Sequence, residues 1–410
     1  MPPATRPSTR RLGILIVSIV LAAAMLRAPL VAVAPVARAV GADLGVSPAV
    51  VGLLTGIPVI AFAVCSPLAV AVIRRGGADF ALSVSMAGAV VGCLVRSAGG
   101  VPAALVGTAI IGVFLTIGNV VVPVVIAREF PPHRVHMMTG VYTSAINIGT
   151  MSVTVATAPL ASVAGWQGAI ALPAMFGLAA LATWAATHGV RGAFLPGGAA
   201  PSASADGDPS DVPEQQDAAG RRSSVLRAGT TWALGAAFAG QAFSYYAMTA
   251  WLPTLLIDHG FGSETAGAIA GVFQVAGIAG GLLAPVLTTR VSILAGVLAV
   301  AVGWITVPLG FMIAPDLWWV WCLVGGAAQG GGLTVVFIMV SALGGDQRDL
   351  AARSGVVQGV GYALAALGPT VIGGIHDATG GWTVPLWVVV VAVALFGAVG
   401  SGVALRLRRA

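Results

Sequence analysis

Runs of about 20 uncharged, largely aliphatic residues recur along the whole chain, and that is the length at which a helix rising 1.5 Å per residue crosses the hydrocarbon of a bilayer. Walking between the polar interruptions predicts twelve spans, at approximately 12–38, 49–73, 78–97, 101–127, 134–160, 166–187, 228–257, 264–287, 291–312, 316–340, 350–375 and 381–404. Apolarity within each run is continuous rather than alternating, which excludes the period-two strands of a membrane β-barrel. The pattern predicts an all-α membrane protein with 12 transmembrane helices.

Arginine placement orients those helices. Of the 20 basic residues, all arginine, seventeen fall in interruptions on the side of the N-terminus, Arg38 and Arg96 fall on the other, and Arg27 lies inside the first span. The excess predicts cytoplasmic N- and C-termini in a multi-pass protein of the cell membrane.

The one long polar interruption runs from His188 to Arg227 and is rich in Pro, Ser, Gly and acids, a composition too poor in apolar residues to fold by burial. It predicts three regions: an N-terminal six-helix bundle at 1–190, a flexible cytoplasmic linker at 191–227 and a C-terminal six-helix bundle at 228–410. Weak internal similarity supports the duplication. Gly112 and Gly118-Asn119 of the fourth span align with Gly325 and Gly331-Gly332 of the tenth, and Val163–Trp166 after the fifth resembles Ala378–Trp382 after the eleventh. Repeats of this kind are how transporters build a midplane site between two rocking bundles.

Composition narrows the class further. With 58% apolar and 8% charged residues the chain is far from the soluble norm of about a quarter charged. Its 56 glycines fit helices packed closely in lipid. The pI near 10 reflects membrane topology rather than nucleic-acid binding, because the arginines do not interleave with aromatics on one face. Cys65, Cys93 and Cys322 stand singly within apolar runs, as packing thiols do, with no metal or redox spacing. The first apolar run is too long for a cleaved signal peptide.

Arg27 is the single charge in the run from Leu12 to Val36, and no Asp, Glu or Lys is expected within the other long apolar runs. A charge at bilayer depth costs about 2.5–3.5 kcal/mol on insertion scales, so it is rarely kept without a role. Val36 lies nine positions further on, roughly 13 Å along a helix, beyond the reach of simple snorkelling. A guanidinium there would attract a small anion or an electron-rich planar group and give it two parallel hydrogen bonds. The structural alternative is an arginine capped by carbonyls freed near Pro29 and Pro35.

Other polar side chains within spans are candidate substrate contacts, each with interhelical packing as its bland alternative. These are Asn119 in the fourth span, Tyr142 and Asn147 in the fifth, Gln241 and Tyr245 in the seventh, Gln274 in the eighth, and Gln358 and Tyr362 in the eleventh. Gln241 and Tyr245, like Gln358 and Tyr362, are four apart and share a helix face. Trp251 is expected in the interfacial aromatic belt. No acid or histidine is placed deep enough for a proton relay, and His376-Asp377 reads as a polar helix end. The chain thus fits facilitated diffusion, exchange, or cotransport with the proton on the substrate.

Certain local runs also carry a resemblance. Twelve spans, a cytoplasmic middle loop and the basic turn IRRGG (Ile73 to Gly77) resemble the major facilitator superfamily. LRAPLVAVAPV (Leu26 to Val36), GNVVVPVVIAREFP (Gly118 to Pro131), MTGVYTSAINIG (Met138 to Gly149), QAFSYYAMTAWLP (Gln241 to Pro253) and QGVGYALAALGPTVIGGIHDATGGW (Gln358 to Trp382) are similar to its cyanate permease and 2-nitroimidazole exporter family. The resemblance implies a major facilitator fold and a monomeric permease for a cyanate-like or nitroimidazole-like solute. One departure stands out: Arg74 and Arg75 lack the acid that the superfamily usually carries in that loop, so no interdomain charge latch is expected from them.

The reading is therefore a transporter of a small anionic or polar planar solute, with the lipid bilayer as its surroundings and no nucleic-acid partner, metal or cofactor. A multidrug exporter of the same fold is the alternative, disfavoured for cationic drugs by the missing membrane carboxylate. An enzyme would need a nucleophile set, metal cluster or phosphate loop that the sequence lacks, and a receptor would need a larger signalling domain.

Overall fold

A computed structural model describes residues 9–196, 229–343 and 347–409. Most of the predicted linker, from 197 onward, lies outside the described residues. The described helices follow the predicted spans in order. The first span is built from α1 (Thr9–Met25), the single turn α2 (Ala28–Val31) and α3 (Ala37–Leu44), with a 3-10 turn at Ala34–Val36 between the last two. Then come α4 (Pro48–Val64), α5 (Ser66–Arg96), α6 (Val101–Glu129), α7 (Pro132–Ala171), α8 (Ala174–Phe194), α9 (Gly229–Asp258), α10 (Ser263–Arg290), α11 (Ile293–Ile313), α12 (Trp318–Ala342), α13 (Gln347–Ala365), α14 (Gly368–Thr379) and α15 (Thr383–Arg409).

Among the described residues nine helical stretches are long and apolar enough to cross a membrane. The seventh predicted span, α9, has the length but is not among them, since Gln241, Ser244, Tyr245, Tyr246 and Thr249 make it too polar. Gln241, Ser244, Tyr246 and Thr249 are buried and Tyr245 half-buried, so protein rather than lipid surrounds most of those polar groups.

Proline and glycine explain the breaks. Pro29 and Pro35 lack the N–H that would bond Met25 and Val31, and the ladder there tightens to three-residue turns, Leu26 to Ala23, Leu30 to Arg27 and Val36 to Val33, at 3.1 Å each. Gly77 at φ 83° separates the second and third spans within α5, and Gly165 at φ 70° separates the fifth and sixth within α7. Only glycine adopts these values without strain. The eleventh span breaks between α13 and α14, just before Pro369.

The chain divides into two compact units, Met1–Ala32 with Val64–Ala200 and Val33–Ala63 with Pro201–Ala410. Glycines set the closest helix pairs within each. In the first, a side chain at Gly107 of α6 would strike the backbone of Arg96 on α5. In the second, side chains at Gly280 and Gly330 would strike the carbonyls of Ala327 and Gly277, so α10 and α12 meet backbone to backbone. Helices gain most from such approach in lipid, where dispersion contacts and weak hydrogen bonds replace the hydrophobic drive.

Candidate functional site

In the first unit, Arg27 occupies the gap between α1 and α2 and is half-buried, flanked by the fully buried Leu26 and Ala28. Glycines fix its level. Gly118 of α6 leaves room for Leu26, and Gly149 of α7 leaves room for Ala24, one turn earlier. Asn119 follows Gly118 and is half-buried, while Asn147, half-buried, and Tyr142, buried, lie on α7 before Gly149. The α6 and α7 segments bearing Asn119 and Asn147 thus reach α1 close to Arg27; Tyr142 is further along α7.

The more buried arginine is one that the sequence places on the surface. Arg96, counted above among outward-facing loop charges, is 0% exposed. Its Nη1 donates to the Pro29 carbonyl at 2.7 Å and its Nη2 to the Ile170 carbonyl at 2.9 Å. Ile170 ends α7 just before Pro173, where helix carbonyls lack intrahelical partners. A charge-bearing fork suits two such oxygens, because one planar group serves both. The sequence signal was present: the span predicted at 78–97 already holds Arg96 in its last turn.

At the opposite end of this unit lies an acid that the sequence reading passed over. Asp79, one residue inside the predicted third span, accepts from Arg128 Nη1 at 3.0 Å and Nη2 at 2.5 Å. Arg128 Nε also donates to Glu129 at 2.9 Å. His188 lies 3.8 Å from Asp79 and 3.9 Å from Glu129, stacks on Trp184 at 4.0 Å, and meets the Thr187 hydroxyl at 2.8 Å. The acid that follows Gly77 is thus paired with Arg128 within its own unit, not with Arg74 or Arg75 of the turn. Potential ligand atoms of Asp79, Glu129 and His188 lie within 4.8 Å of one another, but the Arg128 guanidinium already holds both carboxylates, so this donor set suits an arginine rather than a metal ion.

In the second unit the amides and the tyrosines separate. Gln241, 4% exposed, donates from Nε2 to the Gln329 carbonyl at 3.3 Å and rests against Gly332. Gln274 is 3% exposed, and the Gln329 amide occupies the space that a side chain at Gly277 would take. Ser244 Oγ donates to the Gln241 carbonyl at 2.8 Å and accepts from Trp304 Nε1 at 2.6 Å. Gln358 turns back to Ser354 Oγ at 2.9 Å.

Tyr362, one turn beyond Gln358, instead joins a run of rings. It meets Phe238 at 5.3 Å, Phe62 at 6.1 Å and Tyr246 at 6.5 Å, edge to face, and Tyr246 meets the half-buried Tyr245 at 5.1 Å. These distances and angles match the preferred geometry of aromatic pairs. Phe62 and Phe238 were invisible as participants, since phenylalanine in an apolar run carries no polar signal.

One expectation for the aromatic ends changes, and partners for the charged ends emerge. Trp251, expected at the lipid interface, is 5% exposed and donates from Nε1 to the Pro369 carbonyl at 2.7 Å, at the break before α14. Arg38 pairs with Asp258, which also accepts from Trp382 Nε1 at 2.8 Å. His376 stacks on Trp382 at 4.2 Å, so the polar end of α14 is held by rings as well as by its turn.

Apolar helices with polar groups turned into protein, broken at prolines and joined by glycine-set contacts, define a multi-pass membrane protein. The sequence model of the Major Facilitator Superfamily matches residues 15–346. The chain is 33% identical over 399 residues to the 2-nitroimidazole transporter of Escherichia coli (strain K12), covering 94% of each. It is 30% identical over 401 residues to the uncharacterized transporter YycB of Bacillus subtilis (strain 168), covering 95% of this chain and 92% of that one. A bacterial homolog of the human lysosomal transporter Spinster, solved inward-facing and unoccupied, superposes with a TM-score of 0.72 at 16% identity over 98% of this chain and 99% of that one. This chain belongs to the Major Facilitator Superfamily, and its substrate is a small molecule.

Proposed function

We propose that the protein carries a small anionic or polar planar solute, cyanate-like or nitroimidazole-like, across the cytoplasmic membrane by alternating access as a monomer, with both termini cytoplasmic. The observation that carries this reading is Arg27, a guanidinium in the proline-made gap of the first span. There the helix offers no continuous ladder, and such breaks in transporter helices are where solute groups bind. A nitro group or a small anion presents two oxygens or a terminal charge that a guanidinium fork matches. Asn119 and Asn147, on helices that reach α1 near Arg27, add neutral donors and acceptors. In the second unit Tyr245 and Tyr362, backed by Tyr246, Phe238 and Phe62, supply faces and edges suited to a planar ring. The relative named for 2-nitroimidazole transport supports the planar class.

Purified protein in liposomes tests this directly. Labelled 2-nitroimidazole should enter with saturable kinetics, cyanate or small carboxylates should compete, and bound solute should raise the melting temperature by mass action. Uptake confined to bulky cationic drugs would contradict the proposal and favour a multidrug exporter.

A further inference from the structure

One peptide group links Arg27 and Arg96 in the first unit. The Pro29 carbonyl accepts from Arg96 Nη1 at 2.7 Å, and the N–H of that same peptide, on Leu30, donates to the Arg27 carbonyl at 3.1 Å. Hydrogen bonds in series through a polarised peptide strengthen one another where water is absent. The other donor of Arg96 holds Ile170 at the turn before α8, and Leu172 and Phe176 beyond that turn pack on Ala28, Val31, Ala32 and Val153. The turn that follows Arg27 is therefore clamped twice, by a guanidinium on its backbone and by apolar contact on its side chains.

We propose that Arg96 is a positioning residue for solute binding: through the Pro29–Leu30 peptide it sets the backbone angle from which Arg27 presents its guanidinium. This rests on the reading of Arg27 as the solute contact. A merely structural arginine would change the amount of folded protein and leave the affinity of the folded fraction alone. A positioning arginine changes affinity in protein that is folded, since a misplaced charged donor loses most of its directional bond.

The test measures initial uptake of labelled 2-nitroimidazole into proteoliposomes for wild type, Arg96→Lys, Arg27→Lys and the double variant, each normalised to monodisperse protein. Arg96→Lys keeps the buried charge but cannot bridge both carbonyls as a planar fork. Its KM should rise about tenfold, the scale of one charge-assisted hydrogen bond, with Vmax within about twofold. In the Arg27→Lys background the same change should add less than about twofold, since the two residues act through one contact. Should Arg96→Lys insert poorly, Arg96→Gln, which is neutral and keeps one amide donor, is measured in the same way with the same expectation. A raised KM in Arg27→Lys with a wild-type KM in the Arg96 variant overturns this inference alone. Wild-type KM in both overturns the assignment of Arg27 as well.

Discussion

Arg27 and Arg96 lie on either side of one hydrogen-bonded peptide in the same unit, yet their surroundings differ completely. Arg96 is closed off and both its terminal nitrogens are spent on backbone carbonyls. Arg27 is half-buried in a helix gap. Burial of a charge in lipid-embedded protein is tolerable when fixed oxygens replace water, and the Pro29 and Ile170 carbonyls do so for Arg96. The difference suggests two uses of the same side chain: Arg96 holds the chain in a broken geometry, and Arg27, half-buried at that break, is the one proposed above to meet the solute.

The largest effect expected from this contrast is on folding. Arg96→Met leaves the Pro29 and Ile170 carbonyls without donors, and the loss should be about 2–4 kcal/mol, seen as a marked fall in melting temperature in detergent. Arg27→Met, at a half-buried position, should lower that temperature by less. Equal falls for both would erase the distinction.

Next in size is geometry at the solute contact. Arg27→Lys keeps the charge and loses the fork, and the KM for a nitro solute should rise roughly three- to tenfold. The second unit offers a parallel contrast between Gln241 and Tyr362. Gln241→Leu removes an interhelical bond worth about 1 kcal/mol or less and should lower the melting temperature slightly while solute preference stays fixed. Tyr362→Ala should lower affinity for ring solutes several-fold, by about 0.5–1.5 kcal/mol, and leave cyanate uptake unaltered. The smallest effect belongs to the Asp79–Arg128 pair, which is partly exposed. Asp79→Asn should cost no more than about 1 kcal/mol, read from the same melting curves.

These contrasts track what was legible in the sequence. The spans were, because twenty apolar residues have few other uses, and so were the carbonyls freed near Pro29 and Pro35 and the boundary at Gly77, because proline and glycine act locally; the interruption of the first span itself was not, since it was expected to run unbroken over 12–38. Arg27 was visible because its neighbours are uncharged for many residues on both sides. The positions of Arg96 and Asp79 inside the span predicted at 78–97 were visible, but their burial and partners were not, since a charge in the last or first turn of a span looks the same whether it meets water or protein. Their partners lie far along the chain, 67 and 74 positions from Arg96 and 49 from Asp79. Gln241 and Tyr362 show the same limit from the other side. Spacing placed Gln241 beside Tyr245 and Tyr362 beside Gln358, but only packing against Gly332 and Phe238 divides the amide from the ring.

Solute binding by Arg27 is the proposal on which the others depend. Titration of purified wild type and Arg27→Ala with 2-nitroimidazole, followed by isothermal calorimetry on protein of matched melting temperature, measures it. Loss of a charged partner predicts affinity weakened by about thirtyfold or more in the variant. Equal affinity in the two proteins would contradict the assignment.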